Sequence, residues 1–437
     1  MSDTLRLLLA LLELAPQLER LFGAEWPRFR DDLLVLAGRL DREDDAASIG
    51  QDLDELLGRL LAEAPPEGQD LVRRAMQETQ EPEESATRRG GATIEFAPPP
   101  AEQIEHVVVI PVFYGTDRAR GPDDGPKTYY TGKRGSPAFG IARVSVPVGT
   151  EDRKVGQLTG PAWWRFEFKA DAAKHVILVD VQALGRDAFV SEVRHSLVSA
   201  DARDALVFVH GYNVSFEDAA RRAAQISVDL KFPGRTLLYS WASAADPKWY
   251  TVDEDTIDWS RQHFEAFLRV ALIEIGARDV HVIAHSMGNR ALMNTLERLD
   301  PQELPPGAAT LSQVIFAAPD IGCDKFVQLA EAFRGRAGRC TLYASSQDVA
   351  LKASRVLHGY PRAGEAGTSL MIVDGIDTID ASRVDTSLVG LRHSYFGSKR
   401  SILSDMSAVI AQRLEPDKRF DLERAGDAAR RYWSYRA

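Results

Sequence analysis

Cysteine is scarce: the 437-residue chain has two, Cys323 and Cys340. Two thiols cannot build a disulfide framework and these have no metal-ligand spacing, so a reducing, cytoplasmic compartment is expected. Positive charge is not in excess either. Lys and Arg number 53 against 64 Asp and Glu, a formal net charge of −11, which argues against the basic surface a nucleic-acid partner needs. An uninterrupted apolar run of roughly 18 residues, the length of a membrane helix, is also missing. The leucine-rich stretch 5–14 comes nearest, but Arg6 and Glu13 interrupt it. It has no basic n-region and no small-residue cleavage pattern, so it reads as mature protein. With 44% hydrophobic and 27% charged residues, the chain should fold into two or three globular units.

Residues 1–80 place leucines at helical spacing: Leu5, Leu8 and Leu12; Leu33, Leu34, Leu36 and Leu40; Leu53, Leu56, Leu57, Leu60 and Leu61. Pro16, Pro27 and the Pro65-Pro66 pair punctuate them. This predicts a small all-α accessory domain without chemistry of its own, which packs, self-associates or recruits a partner protein. Residues 81–103 lose the periodicity and fill with Glu, Pro, Gly and Arg, the composition of a linker. The main domain is expected over 104–413, with a C-terminal tail over 414–437 of mixed charge and aromatics.

The main domain opens with strand candidates at 106–114, closed by a turn at Gly115-Thr116-Asp117, and at 141–148 and 176–181. Trp163 and Trp164 precede an alternating stretch and read as core. From residue 206 the pattern becomes strand, loop, helix, repeated: strands at 206–210, 236–240, 280–284, 313–317, 340–344 and 369–374, helices at 216–230, 256–275, 287–299 and after Asp324. The fold class is therefore α/β, a mostly parallel sheet with helices on both faces. Reactive residues belong at the carboxyl ends of such strands.

The stretch 280–293 carries the sharpest signal, an apolar strand, then His285-Ser286-Met287-Gly288, then a helix. A serine on such an elbow is raised above the sheet edge over the positive end of a helix, as a nucleophile should be. The strand at 206–210 runs into Gly211-Tyr212, where a backbone N–H can turn into the site. Tyr212 and Met287 N–H groups are thus candidate oxyanion donors. A serine needs a histidine to take its proton and a carboxylate to orient that histidine. If the order is nucleophile, acid, base, the histidine follows the last strand. His393 does so and His358 does not. Asp348 and Asp320 both follow strands and both are admissible acids, while Asp374, Asp377 and Asp380 read as turn residues. His210 and His285 flank the site as hydrogen-bonded wall residues. With Trp241, Trp249 and Tyr250, the last three in a lid or loop over 241–255, they are the candidate pocket residues.

Taken together, Phe113-Tyr114-Gly115-Thr116-Asp117-Arg118, His210-Gly211-Tyr212-Asn213, Ser240-Trp241-Ala242-Ser243, Ala284-His285-Ser286-Met287-Gly288, Ser345-Ser346-Gln347-Asp348, Ile379-Asp380-Ala381-Ser382 and His393-Ser394-Tyr395 carry a resemblance. Over about residues 107–411 the chain resembles the α/β-hydrolase superfamily, and within it the bacterial esterase/lipase-like family catalogued as domain of unknown function 900. The resemblance implies the α/β-hydrolase fold and a serine hydrolase needing no metal or cofactor. It favours Asp348 as the acid, since the acid usually follows the strand after next from the nucleophile. Ala284 stands where the elbow usually has its first glycine; Gly288 keeps the second. The expected activity is cleavage of an ester, thioester or amide in a small-molecule or acylated substrate. Its rivals are an acyltransferase using the same serine and a non-catalytic scaffold whose helical N-terminus binds a partner.

Overall fold

A computed structural model describes residues 46–63, 107–148, 174–245, 249–384, 402–427 and 430–436, and a few isolated positions at 29, 32 and 65–73. The expected linker at 81–103, most of the predicted N-terminal helices, Trp163, Trp164 and His393 lie outside the described residues. The chain divides into two units, one of residues 1–98 with 352–360, the other of 99–351 with 361–437.

In the first unit, helix α1 (Ala46–Glu63) buries Leu53, Leu56, Leu57 and Leu60, the i, i+3, i+4, i+7 stripe of an amphipathic helix. Arg59 pairs with Asp32 at 2.7 Å.

In the second unit, one eleven-stranded sheet runs in the order β10-β11-β9-β8-β7-β6-β4-β5-β1-β2-β3. Its strands are β1 (Val107–Arg120), β2 (Tyr130–Pro147), β3 (Ile177–Leu184), β4 (Asp204–Val209), β5 (Arg235–Ser240), β6 (Asp279–His285), β7 (Thr310–Ala317), β8 (Arg339–Ala344), β9 (Ile376–Asp380), β10 (Leu422–Ala425) and β11 (Tyr432–Tyr435). From β1 through β5, β4, β6, β7, β8 and β9 to β11 every pairing is parallel; β2 and β3 at one end and β10 at the other are antiparallel. Apolar alternation decides which face each residue serves. Along β4, Ala205, Val207 and Val209 join one core, and Leu206 and Phe208 the other. The first core is covered by α2 (Arg186–Val198), α4 (Tyr250–Ile273), α5 (Gly288–Arg298) and α6 (Cys323–Ala332). The second lies under α3 (Phe216–Asp229) and α8 (Ile402–Ile410), where Ala219, Ala220, Ala223 and Ala224 bring α3 close to the sheet. Helix α7 (Val349–His358) follows β8 in the chain. No helix among the described residues is long and apolar enough to cross a membrane.

Four expectations are corrected. Gly115-Thr116-Asp117 is not a turn: β1 continues through it, because Gly115 and Thr116 pair with Phe139 and Ala138 on one side and with Tyr239 and Ser240 on the other. Gly115 is required there, since a Cβ would stand 2.3 Å from the Phe267 ring. The strand expected over 369–374 lies further on, as β9, so Asp377 and Asp380 are strand residues. Leu370, Met371 and Val373 are apolar because they are buried as loop anchors. The long loop expected over 241–255 ends early, α4 starting at Tyr250. Residues 414–437, set apart above as a tail, supply β10 and β11.

Behind these C-terminal strands lies a buried polar group. Arg419 donates to Asp405 at 3.1 Å and to the Leu414 carbonyl at 3.2 Å, and the Tyr343 hydroxyl donates to Asp405 at 2.6 Å. Arg419→Met would leave the Asp405 carboxylate buried without its cation, at a cost of about 3–5 kcal/mol. Urea denaturation should therefore show the variant destabilised by that amount; a loss under about 1 kcal/mol would mean that the pair is not stabilising the fold.

Candidate active site

Four residues other than glycine adopt positive φ just past the carboxyl ends of neighbouring strands: Asn213 (56°) after β4, Ala245 (56°) after β5, Ser286 (47°) after β6 and Ala318 (44°) after β7. Such backbone is costly and persists only where its surroundings over-determine it. The concentration at one sheet edge marks the site.

Ser286 sits between the end of β6 and the start of α5, half-buried. Its N–H donates to the Ala317 carbonyl at 3.0 Å, and its carbonyl accepts from the N–H groups of Asn289 (3.1 Å) and Asp320 (3.2 Å) and from the Asn289 side chain (2.9 Å). The elbow is thus bonded to β7 on one side and to its own helix on the other. Two close approaches complete it. A Cβ on Gly288 would lie 2.4 Å from the His210 carbonyl oxygen, and a Cβ on Gly211 would lie 2.9 Å from Ser286 Cβ and 2.7 Å from His285 Nδ1. Glycine at both positions lets the loop after β4 run directly against the serine. Of the two predicted donors, Met287 is the residue between Ser286 and α5, and Tyr212 follows Gly211 in the loop that runs against the serine.

His210 and Trp241, predicted as pocket residues, are both buried and brace the loop from behind. Their rings stack at 5.1 Å between centroids, and Trp241 Nε1 donates to the His210 carbonyl at 2.9 Å. Tyr250 packs edge-on against Tyr212 at 5.1 Å and donates its hydroxyl to Asp320; Trp249 is 47% exposed.

The two candidate acids differ sharply. Asp320 is buried, with one oxygen accepting from Arg362 Nε at 2.7 Å and the other from the Tyr250 hydroxyl at 2.5 Å. Asp348 is half-buried past β8 and accepts the Leu351 N–H at 3.0 Å, capping α7. It lines a small apolar cleft with Ala317, Ala318, Ala381, Ile402 and Met406. The predicted base, His393, lies outside the described residues.

Sequence reasoning passed over the buried ions around this edge. Asp253 accepts from Ser243 Oγ (2.6 Å), Ala244 N–H (2.8 Å) and Asn213 N–H (3.3 Å), and burial raises its pKa. Asp117 accepts from the Tyr239 hydroxyl (2.8 Å), Ala242 N–H (3.1 Å) and His263 Nδ1 (3.2 Å). Arg290, four residues past the serine, pairs with Glu254 at 2.6 Å and donates to the Asp320 carbonyl at 2.9 Å. The available signal was the pair Asp117-Arg118, charges that follow the apolar first half of β1. Among the described residues no cluster of His, Cys, Asp and Glu could hold a metal ion.

His285 is kept neutral. Burial, reinforced by the charge of Arg222 and opposed by Asp320, lowers its pKa from 6.5 to about 3. The unfolded chain then takes up a proton first as acid is added, so stability present above about pH 6.5 is lost as pH falls toward 3. Between about pH 7 and about pH 5 this residue should cost about 2 kcal/mol, and His285→Asn should lose that much less over the same interval in urea denaturation. An unchanged pH dependence in the variant would count against a neutral, buried His285.

Residues 185–413 match a protein family described as alpha/beta hydrolase of unknown function (DUF900). No curated protein matches the chain.

Proposed function

Because the chain belongs to the family of alpha/beta hydrolases of unknown function (DUF900), we propose that it is a serine hydrolase cleaving an ester, thioester or amide through an acyl-enzyme on Ser286. The observation that carries this reading is the positive-φ serine after β6 with Gly211 against its Cβ. Backbone strain of this kind clusters at active sites, and here it falls on a serine at the strand-to-helix corner. In the proposed reaction Ser286 Oγ attacks the acyl carbon while His393 takes its proton and then passes it to the leaving group. Tyr212 and Met287 N–H groups hold the oxyanion, and water on the acyl-enzyme completes the cycle.

Asp348 is the proposed acid. Both oxygens of Asp320 are already engaged by Arg362 and Tyr250, which disfavours it. The cleft lined by Asp348 is also lined by Ala381, just after β9, and by Ile402, the first residue of α8. In sequence His393 stands nine residues after Val384 and nine before Ile402. An extended chain of that length spans about 30 Å, ample to return to the site. The scarcity of cysteine, with Cys323 and Cys340 both free thiols, supports a reducing, cytoplasmic setting.

Ser286→Ala should lower kcat/KM on an activated short-chain ester by at least about 10³ and abolish labelling by a fluorophosphonate probe. Asp348→Asn should lower kcat by about 10²–10⁴, whereas Asp320→Asn should reduce stability more than turnover. Undiminished hydrolysis by S286A, or folded wild-type protein that resists the probe, would reject the nucleophile and favour a scaffold role.

A further inference from the structure

Arg118 is almost fully buried near the end of β1 and forms no ion pair among the described residues. Its guanidinium is satisfied entirely by neutral acceptors. Nε donates to Ser240 Oγ (2.9 Å), Nη1 to the carbonyls of Thr131 (3.2 Å) and Ser243 (2.9 Å), and Nη2 to the Val214 carbonyl (2.7 Å). The fifth contact is Nη2 to His210 Nε2 at 3.4 Å. One side chain therefore joins β1, β2 and the loops following β4 and β5. Burial lowers its pKa only to about 10, so it remains a cation at neutral pH.

An arginine donates and never accepts, so His210 Nε2 must be the acceptor. The ring proton is then on Nδ1, which lies 2.8 Å from the Gly211 carbonyl and can only donate to it. Ser240 Oγ, 3.3 Å from Nε2, can donate to the same lone pair. Burial and the Arg118 charge hold the His210 pKa well below 6.5, so a second ring proton is not taken up. The Gly211 carbonyl and the Tyr212 N–H belong to one planar trans peptide and point in opposite directions. Fixing the carbonyl end fixes the donor end.

We infer that Arg118 is a positioning residue for the oxyanion hole: it sets the His210 tautomer, whose Nδ1–H holds the Gly211 carbonyl and so aims the Tyr212 N–H across Ser286. This rests on the serine-hydrolase reading above and adds to it a source of preorganisation on a strand that carries none of the reacting groups. Ser243 reinforces the arrangement. Its hydroxyl accepts from the Val214 N–H at 3.1 Å and donates to Asp253, while its carbonyl accepts from Arg118.

The test compares His210→Asn, whose amide nitrogen can replace Nδ1, with His210→Gln, which reaches toward the Nε2 position and cannot bond the Gly211 carbonyl. Arg118→Met and Arg118→Lys probe the other end of the relay. Each is assayed for hydrolysis of p-nitrophenyl butyrate, the rate of fluorophosphonate labelling at Ser286, and thermal midpoint. H210N should retain kcat within about threefold, while H210Q and R118M should lose about 10² in kcat and in labelling rate with KM little changed, the signature of a misaimed oxyanion donor. R118K, which keeps the charge but cannot span the same acceptors, should behave as R118M does. If H210Q reacts as fast as H210N, or the folded Arg118 variants as fast as wild type, the inference fails and the nucleophile stands. Wild-type protein unlabelled at Ser286 overturns both.

Discussion

The whole arrangement depends on how closely the chain passes itself at the exit of β6. The carboxyl end of β4 and the start of α5 approach until the His210 carbonyl oxygen leaves no room for a side chain at Gly288. Two residues earlier, Ser286 takes a left-handed backbone conformation. These facts are linked. A strand that must turn sharply into a helix over its neighbour's end needs a positive φ at the corner and bare backbone where the two segments touch. Ala284 in place of glycine before the serine is compatible with this, because it lies near the end of β6 in the core and not at the contact.

Holding four such corners side by side requires fixed partners: backbone and Asn289 at Ser286 and Ala318, and buried ions at the corners after β4 and β5. Asp253 gathers the N–H groups of Asn213 and Ala244 and the Ser243 hydroxyl; Asp117 gathers the Ala242 N–H and the Tyr239 hydroxyl. Arg118 collects carbonyls from the same loops. Each ion compensates its own desolvation by hydrogen bonds to backbone, so the bonds that keep the charge tolerable also fix the loops. Arg118 feels the fields of Asp117, Asp253 and Asp218 without touching them, which leaves its five donors for geometry.

Much of this was legible beforehand because one periodicity governs it. Buried parallel strands are apolar throughout, so β4, β5, β6, β7 and β8 announce themselves, and the elbow follows from a serine and a glycine between such a strand and a helix. The misreadings have physical causes. Gly115-Thr116-Asp117 carries turn composition, yet glycine there relieves contact with Phe267 inside a strand. Loop anchors such as Met371 and Val373 are as apolar as a strand, and β9 beside them carries two aspartates. Residues 422–435 look like a frayed tail until pairing with β9 gives them an edge. The buried ions were hidden for a deeper reason. An arginine wholly inside a protein is written the same way as one on the surface, and only its acceptors, drawn for Arg118 from three separate segments, distinguish the two. The role of His393 came from chain order and resemblance alone.

Direct ion pairs occur at both edges of the sheet, as Arg290–Glu254 and Arg362–Asp320 show at the carboxyl edge, but the ions around the loops after β4 and β5 handle charge differently from those at the amino edge. At the amino edge Arg278 and Arg413 meet Asp204 and Asp279 directly, at 2.7–3.5 Å, around a cleft of about 620 Å³. Two cations and two anions cancel there, and Arg278 is 66% exposed, so solvent screens the pairs and each contributes little. At the carboxyl edge the carboxylates of Asp117 and Asp253 accept from hydroxyls, backbone N–H groups and a histidine, and Arg118 donates nothing to either. Direct pairing of Arg118 with Asp117 or Asp253 would neutralise them in a way that ties two side chains together and leaves the backbone free. Separation forces each ion to seek backbone partners, which is what a site needing fixed N–H directions requires. The same residue types therefore close off one edge of the sheet and organise the other.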